Sequence, residues 1–210
     1  MNEKMFFRDA EREGILTRNP LFSSGVIIAP AAAACTGFYS SAILAMVFTV
    51  VTFVTIALCS FVPRKIVYTV RIILYTIVAS LVYVPVHLFF MSGEQLSEMY
   101  LALGIYAPLL ITNSLITLRT ESKFYRLARP YMLRLAGFYV IGYDLSLMIF
   151  GGLRGFLTTG TILGIKVLPF SIPALSNVYG GFILLAIVSA AFRWLLQILT
   201  GTNGSRPNSI

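Results

Sequence analysis

The groups that could do chemistry in this sequence are one acid inside an apolar stretch and one short polar run. The acid is Asp144, in the segment Gly142-Tyr143-Asp144-Leu145-Ser146. Near the centre of a bilayer a carboxylate has to be protonated, paired or hydrated. Asp144 is therefore the best single candidate for a functional charge. The alternative is a neutral, hydrogen-bonded acid or a structural pair.

The polar run follows Pro108 and consists of Thr112, Asn113, Ser114 and Thr117. In hydrocarbon each of these side chains would be costly alone, so their face should meet another helix, water or a bound group. Together with the acid, the first three form a candidate polar or ion site. Interhelical hydrogen bonding without any ligand is the alternative, and the residue types leave both open.

No catalytic or metal-binding motif accompanies these groups. His87 is the only histidine, and Cys35 and Cys59 form no spaced metal motif. The sequence also has no phosphate loop, nucleophile elbow, HExxH motif or paired carboxylates. We expect no catalytic residues and no metal site, with His87 as an interfacial polar residue and both cysteines as apolar packing residues.

The composition places these groups in a membrane protein. Of 210 residues, 58% are hydrophobic and only 11% are charged, and the mean hydropathy is +0.85. Soluble domains carry about 25% charged residues. A water-exposed surface cannot be built from what remains, so the chain is an integral membrane protein.

Charge-free runs predict six membrane spans, because a spanning helix needs roughly 20 apolar residues. The predicted spans are 22–39, 41–62, 68–91, 99–118, 133–152 and 176–199. In the second span, the hydroxyls of Thr49, Thr52 and Thr55 can bond back to their own helix. Glycines and prolines interrupt 151–175, which we expect to be an extracytoplasmic excursion.

Two of these segments share a pattern that predicts broken helices. The segments are Gly25–Thr36 and Leu103–Glu121. Each has a glycine at or next to its first residue and an Ala-Pro step a few residues later, at Pro30 and Pro108. Such segments in both halves of a membrane chain indicate an inverted repeat. We predict an all-α membrane fold of six transmembrane helices in an inverted 3+3 repeat, with proline-broken first and fourth helices. The first span could equally be a re-entrant pair of half-helices, and carbonyls just before Pro30 need a partner outside their own helix.

The distribution of charge predicts orientation. Basic residues crowd the loops between spans two and three and between spans four and five, whereas Glu94 and Glu98 lie between spans three and four. The positive-inside rule then puts both termini in the cytoplasm, and we expect the bacterial cytoplasmic (inner) membrane. Topology and anionic lipid headgroups explain the net charge of +8, so we expect membrane lipid and no nucleic acid as partners.

We predict three segments from this distribution. Residues 1–18 would form a cytoplasmic amphipathic N-terminal segment, 19–200 the six-span membrane domain and 201–210 a disordered cytoplasmic tail.

Four features of the sequence are distinctive together: the Asn19-Pro20 opening, GIYAPLLITNS followed by LRTESKF, Gly152-Leu153-Arg154 and GGFILLAI. These segments resemble the Rnf-Nqr family of integral membrane subunits. The chain is most similar to the E-type Rnf and D-type Nqr subunits, over roughly residues 19–194. The resemblance implies one of two oppositely oriented homologues in a redox pump. That pump passes electrons between reduced ferredoxin, or quinol, and NAD, coupled to sodium or proton movement.

The resemblance also implies a cofactor whose ligands this chain lacks. In the family, each of the two homologues contributes two cysteines to an iron–sulfur cluster at their interface. The corresponding positions here are Ala29 and Ser114. Cluster iron is held by thiolates, and Cys35 lies on the far side of the Pro30 break. We therefore expect no cofactor, and a 2Fe-2S cluster shared with a homologous subunit is disfavoured.

Three functions remain open. The first is a membrane subunit of an Rnf/Nqr-like ion-translocating electron-transport complex, without its own cluster, in a hetero- or homo-oligomer with a homologous or identical subunit. The second is a small-molecule transporter or substrate-capturing transport subunit, with Asn113 and Ser114 at its site. The third is a purely structural subunit. The sequence does not reveal the transported ion or solute, the partner, or whether electrons pass through the chain.

Overall fold

The computed structural model is helical over almost all of the chain that it describes. The described residues are 12–25, 27–63, 66–113, 115–120, 128–162, 165–166 and 171–199. The predicted tail 201–210, most of the predicted N-terminal segment and Ser114 lie outside these residues.

Six α-helices lie in this part of the chain, joined by shorter helical turns and one small hairpin. The α-helices are α1 (Ile28–Ala34), α2 (Phe38–Cys59), α3 (Tyr68–Met91), α4 (Glu94–Leu101), α5 (Arg129–Thr159) and α6 (Val178–Leu199). The 3-10 helices are Gly104–Tyr106, Pro108–Thr112 and Pro173–Ser176, and the π-helical segments are Arg12–Thr17 and Leu115–Arg119. The antiparallel strands are β1 (Thr161–Ile162) and β2 (Ile165–Lys166).

Four of these helices are long and apolar enough to cross a membrane: α2, α3, α5 and α6. A fifth span is counted if Glu94–Leu101 and Gly104–Thr117 are taken together, although the chain bends by 92° between them. Both counts refer to the described residues only. The predicted spans 41–62, 68–91 and 176–199 correspond to α2, α3 and α6, with ends shifted by up to three residues.

The first predicted span, 22–39, is wrong as a full-length helix. α1 has only seven residues, which is about 10 Å of helix and too short for a bilayer. Ile27 precedes it in the left-handed region at φ 61°, and α2 already begins at Phe38. The segment therefore contains one short helix, a half-helix in length, and the re-entrant pair of half-helices stays a prediction.

The fifth span is longer than predicted, because α5 continues through the glycines at its C-terminal end. A Cβ on Gly151 would lie 1.6 Å from Ser41 Oγ and 2.9 Å from the Gly37 carbonyl oxygen. The glycine thus permits close packing of α5 on the start of α2. The prediction that residues 151–159 leave the membrane helix was wrong because this contact is not visible locally.

The fourth predicted span, 99–118, is also divided differently. α4 begins at Glu94 and ends at Leu101, and Gly104, at φ 55°, begins the 3-10 helix that follows. Pro108 then occupies the first position of a 3-10 helix, where a missing N–H costs nothing. The break therefore precedes Pro108, and the proline begins the next helical segment.

α2 is central to the packing. It contacts α5 and α3, whereas α1 packs on α6 and Arg12–Thr17 packs along α5. α1 also contacts the 3-10 helix Gly104–Tyr106. The two broken segments therefore lie close together, as expected of a repeat whose breaks meet, while their relative direction stays a prediction.

Candidate functional site

Two threonines of α2 hold the polar residues singled out in the sequence. Thr49 Oγ1 donates a hydrogen bond to Asp144 Oδ2, and Thr52 Oγ1 accepts one from Asn113 Nδ2 at 3.0 Å. The sequence indicated that these hydroxyls can bond back to their own helix, but both of them bond side chains of other segments instead. Because the two threonines are three residues apart, they lie on one face of α2, about one turn apart.

Asp144 lies half-buried in α5, and only one of its two carboxylate oxygens has a hydrogen-bond partner among the described residues. Its Oδ1 atom is buried and has no hydrogen-bond partner among the described residues. The same holds for Thr55 Oγ1, one turn beyond Thr52 on α2. A buried polar oxygen without a partner is unfavourable. A proton, a water molecule or a cation at Oδ1 would remove that cost.

Asn113, by contrast, uses its whole amide inside the protein. Its Nδ2 also donates to the Leu110 carbonyl at 2.7 Å, and its Oδ1 accepts from the Ile116 amide at 3.0 Å. The side chain is buried and closes the turn between the 3-10 helix and the π-helical segment. Its role in the structure is interhelical hydrogen bonding.

Of the rest of the polar run, Thr117 Oγ1 donates to the Asn113 carbonyl at 3.3 Å, whereas Thr112 does not join this site. Thr112 is exposed, and its hydroxyl donates to the Leu109 carbonyl at 3.3 Å. Ser114 lies outside the described residues. The structure therefore brings together Thr49 with Asp144 and Thr52 with Asn113, and it leaves Thr112 apart.

Asn19 is a buried polar residue whose structural role was not predicted. Its Oδ1 accepts from the amides of Leu21 and Phe22, each at 3.0 Å. Its Nδ2 donates to the Gly142 carbonyl at 3.0 Å and to Ser146 Oγ at 2.8 Å. Asn19 thus attaches the chain before α1 to the face of α5 that carries Gly142 and Ser146, and Asp144 lies on a different face of that helix. The available signal was the Asn-Pro step that opens the first apolar run.

Arg154 is a second residue whose importance was missed. Its side chain is fully buried at 0% exposure, and its guanidinium donates to five backbone carbonyls. The acceptors are Leu175 (2.8 Å), Ala32 (2.7 Å), Cys35 (2.9 Å), Ser176 (3.1 Å) and Asn177 (2.9 Å). A guanidinium has five N–H donors, so all of them are used.

The position of Arg154 follows from helix electrostatics and from one glycine. Ala32 and Cys35 are at the C-terminal end of α1, where free carbonyls and the helix dipole favour a cation. A Cβ on Gly181 of α6 would lie 2.1 Å from the Ala32 oxygen and 2.8 Å from Arg154 Cζ. The guanidinium therefore joins α1, α5 and the turn before α6. A basic residue within GGLRGF was the available signal.

The break before α1 has its own support. Tyr143, the neighbour of Asp144, donates its hydroxyl to the Ile27 carbonyl at 3.0 Å. One carbonyl before Pro30 therefore has a partner outside α1, in agreement with the expectation for this break. Ala29 is exposed at the tip of the half-helix, while Pro30 is buried.

The side chain of His87 lies among tyrosine hydroxyls, and both cysteine side chains are buried. His87 Nδ1 lies 3.0 Å from the Tyr100 hydroxyl, which lies 2.5 Å from the Tyr83 hydroxyl. Cys35 and Cys59 are buried. Within the described ranges, no three His, Cys, Asp or Glu side chains are grouped so that they could hold a metal ion.

These features define a polytopic α-helical membrane protein with one bent helix pair, one short helix and polar contacts on its central helix. The family model described as "Rnf-Nqr subunit, membrane protein" matches residues 8–199, and the chain belongs to this family. It is also similar to the D-type subunit of the Na(+)-translocating NADH-quinone reductase of Pseudoalteromonas atlantica (strain T6c / ATCC BAA-1087). The two are 29% identical over 157 residues, covering 74% of this chain and 73% of the relative. The resemblance to the Rnf-Nqr family and to its D-type Nqr members is confirmed.

The donor set does not fit the family's iron–sulfur cluster. Ala29 has no ligand atom, and Ser114 could offer only a hydroxyl. Cys35 is at the opposite end of α1 from Ala29, about 9 Å away along the helix axis. It is fully buried, and its carbonyl is bonded by Arg154. The absence of a cluster stays a prediction for chemical analysis.

Proposed function

We propose that this chain is a membrane subunit of an Rnf/Nqr-like ion-translocating electron-transport complex and that it has no iron–sulfur cluster of its own. Family membership supports the class of complex, since the relative from P. atlantica is named as a subunit of a sodium-translocating NADH-quinone reductase. The chain's partner would be a homologous or identical membrane subunit.

The observation that carries the proposal is the state of Asp144. Its carboxylate lies in a membrane helix, accepts a bond from Thr49 and retains one buried oxygen without a partner among the described residues. Ionisable groups inside membrane segments mark ion and proton pathways. We assign ion contact to Asp144, and we assign to Asn113 the closure of the neighbouring helix break.

The transporter alternative has less support. A solute site would need polar groups that face a cavity, but the amide of Asn113 is used by Thr52, Leu110 and Ile116. The large cavity between α2 and α3 is lined by apolar side chains. This alternative would gain support if an organic anion raised the melting temperature of the protein and if Asn113→Leu abolished that stabilisation.

The finer architecture belongs to the same proposal. We infer six spans in an inverted 3+3 repeat, with the short helix α1 as one part of a broken first span and α4 with residues 104–117 as the fourth. The contact between the two broken segments supports this arrangement. We place the protein in the bacterial inner membrane with both termini in the cytoplasm, and we keep 1–18, 19–200 and 201–210 as its segments.

The test measures ion movement and electron transfer in membranes that contain the assembled complex. Asp144→Asn keeps the size of the side chain and removes its charge, so we expect normal assembly with loss of most ion movement. Thr49→Val should lower ion movement through loss of the hydroxyl, whereas Thr49→Ser, the matched control, should retain it. Iron and acid-labile sulfide in the purified subunit should stay far below one cluster per chain.

Three results would contradict the proposal. Unchanged ion movement in Asp144→Asn would remove the role of the acid. A stoichiometric cluster would overturn the assignment at Ala29 and Ser114. If the native assembly that contains this chain included no redox subunit, the proposed membership in an electron-transport complex would be contradicted.

A further inference from the structure

An apolar groove lies between α2 and α3, on the outside of the helix bundle. Its cavity volume is ≈ 910 Å³, and all of its lining side chains are apolar. On α2 the lining residues are Met46, Val50, Val54 and Leu58, each four positions after the last. On α3 they include Pro85 at the middle of the groove.

The groove runs along the helix axes and is open at its rim, as a binding site for a lipid chain would be. A spacing of four keeps residues on one helix face, so the groove follows α2 for about 18 Å from Met46 to Leu58. Both helices are long and apolar enough to cross a membrane, and a groove along them would run parallel to lipid acyl chains. Its rim is open to the surroundings, since Leu81 is 68% and Phe89 65% exposed.

One end of the groove is basic. Leu58 lies one turn before Phe61, and the guanidinium of Arg129 stands 4.8 Å from the centre of the Phe61 ring. On α3, Arg71 lies seven residues before Val78 and therefore on the same helix face, two turns closer to that end. The far end leads instead toward Glu94 and Glu98 of α4.

We propose that this groove binds an acyl chain of an anionic phospholipid, with the headgroup phosphate against Arg129 and Arg71. Basic pockets between transmembrane helices on the cytoplasmic side bind anionic headgroups, and arginine donates well to phosphate. The charge at one end distinguishes this site from a featureless apolar surface. The proposal requires only the membrane location of the chain and does not depend on its role in electron transport.

The test measures lipid binding to the purified full-length protein in detergent. Dioleoyl phosphatidylglycerol and dioleoyl phosphatidylcholine have the same chains and differ in headgroup charge. We expect phosphatidylglycerol to raise the melting temperature and to remain bound in native mass spectrometry, with phosphatidylcholine much weaker. Arg129→Gln should weaken phosphatidylglycerol binding by about fivefold, the contribution of one basic residue near an anionic headgroup.

A pair of tryptophan variants tests the groove itself. Val54→Trp fills the groove and should abolish the stabilisation by phosphatidylglycerol. Ile187→Trp places the same side chain on the exposed face of α6, at a residue 61% exposed, and should retain it. If the first variant is too unstable to purify, Leu81→Trp on α3 replaces it, with the same expected loss.

The proposal is overturned if both lipids bind equally, because the basic end would then contribute nothing. It is also overturned if Val54→Trp and Ile187→Trp respond alike. A polypeptide that occupies the groove and excludes phosphatidylglycerol would identify a partner helix as the true occupant.

Discussion

The guanidinium of Arg154 is bonded to backbone carbonyls, so its planar shape matters as much as its charge. Lysine has three donors on a single nitrogen and cannot reach five carbonyls from two separate segments. We expect Arg154→Lys to lower the free energy of unfolding by about 2–3 kcal/mol, because carbonyls lose their partners. Arg154→Met should be at least as unfavourable. Thermal unfolding in detergent measures both.

Arg193 provides the matched control for this prediction. It is exposed, and it bonds the carbonyls of Phe22 and Ser23 at 3.3 and 2.8 Å. Arg193→Lys should change the free energy of unfolding by less than about 1 kcal/mol. Equal effects at Arg154 and Arg193 would show that burial of the guanidinium has no special importance.

Asn113 allows a second prediction at the residue scale. Asn113→Ala removes one acceptor and two donors from a buried turn, so we expect a loss of about 1–3 kcal/mol of unfolding free energy. Thr52→Val removes only its partner hydroxyl and should cost less. Asn177→Ala, at an exposed asparagine, should stay within about 0.5 kcal/mol. Chemical denaturation of the purified variants distinguishes these outcomes, and a neutral Asn113→Ala would contradict the buried network.

Asp144 and Asn113 were recognised from sequence because polar groups are conspicuous in apolar surroundings. Their partners Thr49 and Thr52 were not, since a threonine hydroxyl in a membrane helix can bond either its own backbone or another helix. Which bond forms is decided only by the packing of α2 between α5 and the turn at Asn113. Arg154 belongs to the motif Gly152-Leu153-Arg154, but the sequence could not reveal its five acceptors because they come from segments that are distant along the chain.

At the scale of helices, two adjacent glycines of α5 have opposite roles. A Cβ at Gly151 would lie 1.6 Å from Ser41 Oγ, whereas one at Gly152 would meet Phe38 Cδ2 at 3.8 Å, an ordinary contact. We expect Gly151→Ala to separate α5 from α2 and to destabilise the fold by about 1–3 kcal/mol. Gly152→Ala should be neutral or stabilising by up to about 1 kcal/mol, because alanine favours a helix.

The glycine prediction is checked by melting temperature, with the two variants prepared in the same detergent. A greater loss in Gly152→Ala than in Gly151→Ala would contradict the observed packing of α5 on α2. The local pattern of glycines could not separate these positions, since both lie in the same apolar segment. The same ambiguity led to the prediction that the helix ends near residue 152.

At the scale of the whole molecule, the testable property is orientation. Ser92, in the bend between α3 and α4, and Ala128, just before α5, are both exposed. The positive-inside rule predicts opposite sides for them. In intact cells an impermeant maleimide should label Ser92→Cys, and it should label Ala128→Cys only after the membrane is opened. The native cysteines are buried and should give little background, and the reverse pattern would invert the proposed topology.

The sequence by itself determined the membrane class, three of the long spans, the family and the two most conspicuous polar residues, because hydropathy, charge and residue type are local properties. Tertiary structure alone decided that α1 is a half-helix, that α5 continues through its glycines and that Thr49 and Thr52 serve the polar site. It also placed Arg154 against the Ala32 carbonyl, 122 residues away in the chain. Hydrogen-bond partners and close backbone approaches depend on which distant segments meet, and no local pattern contains that information.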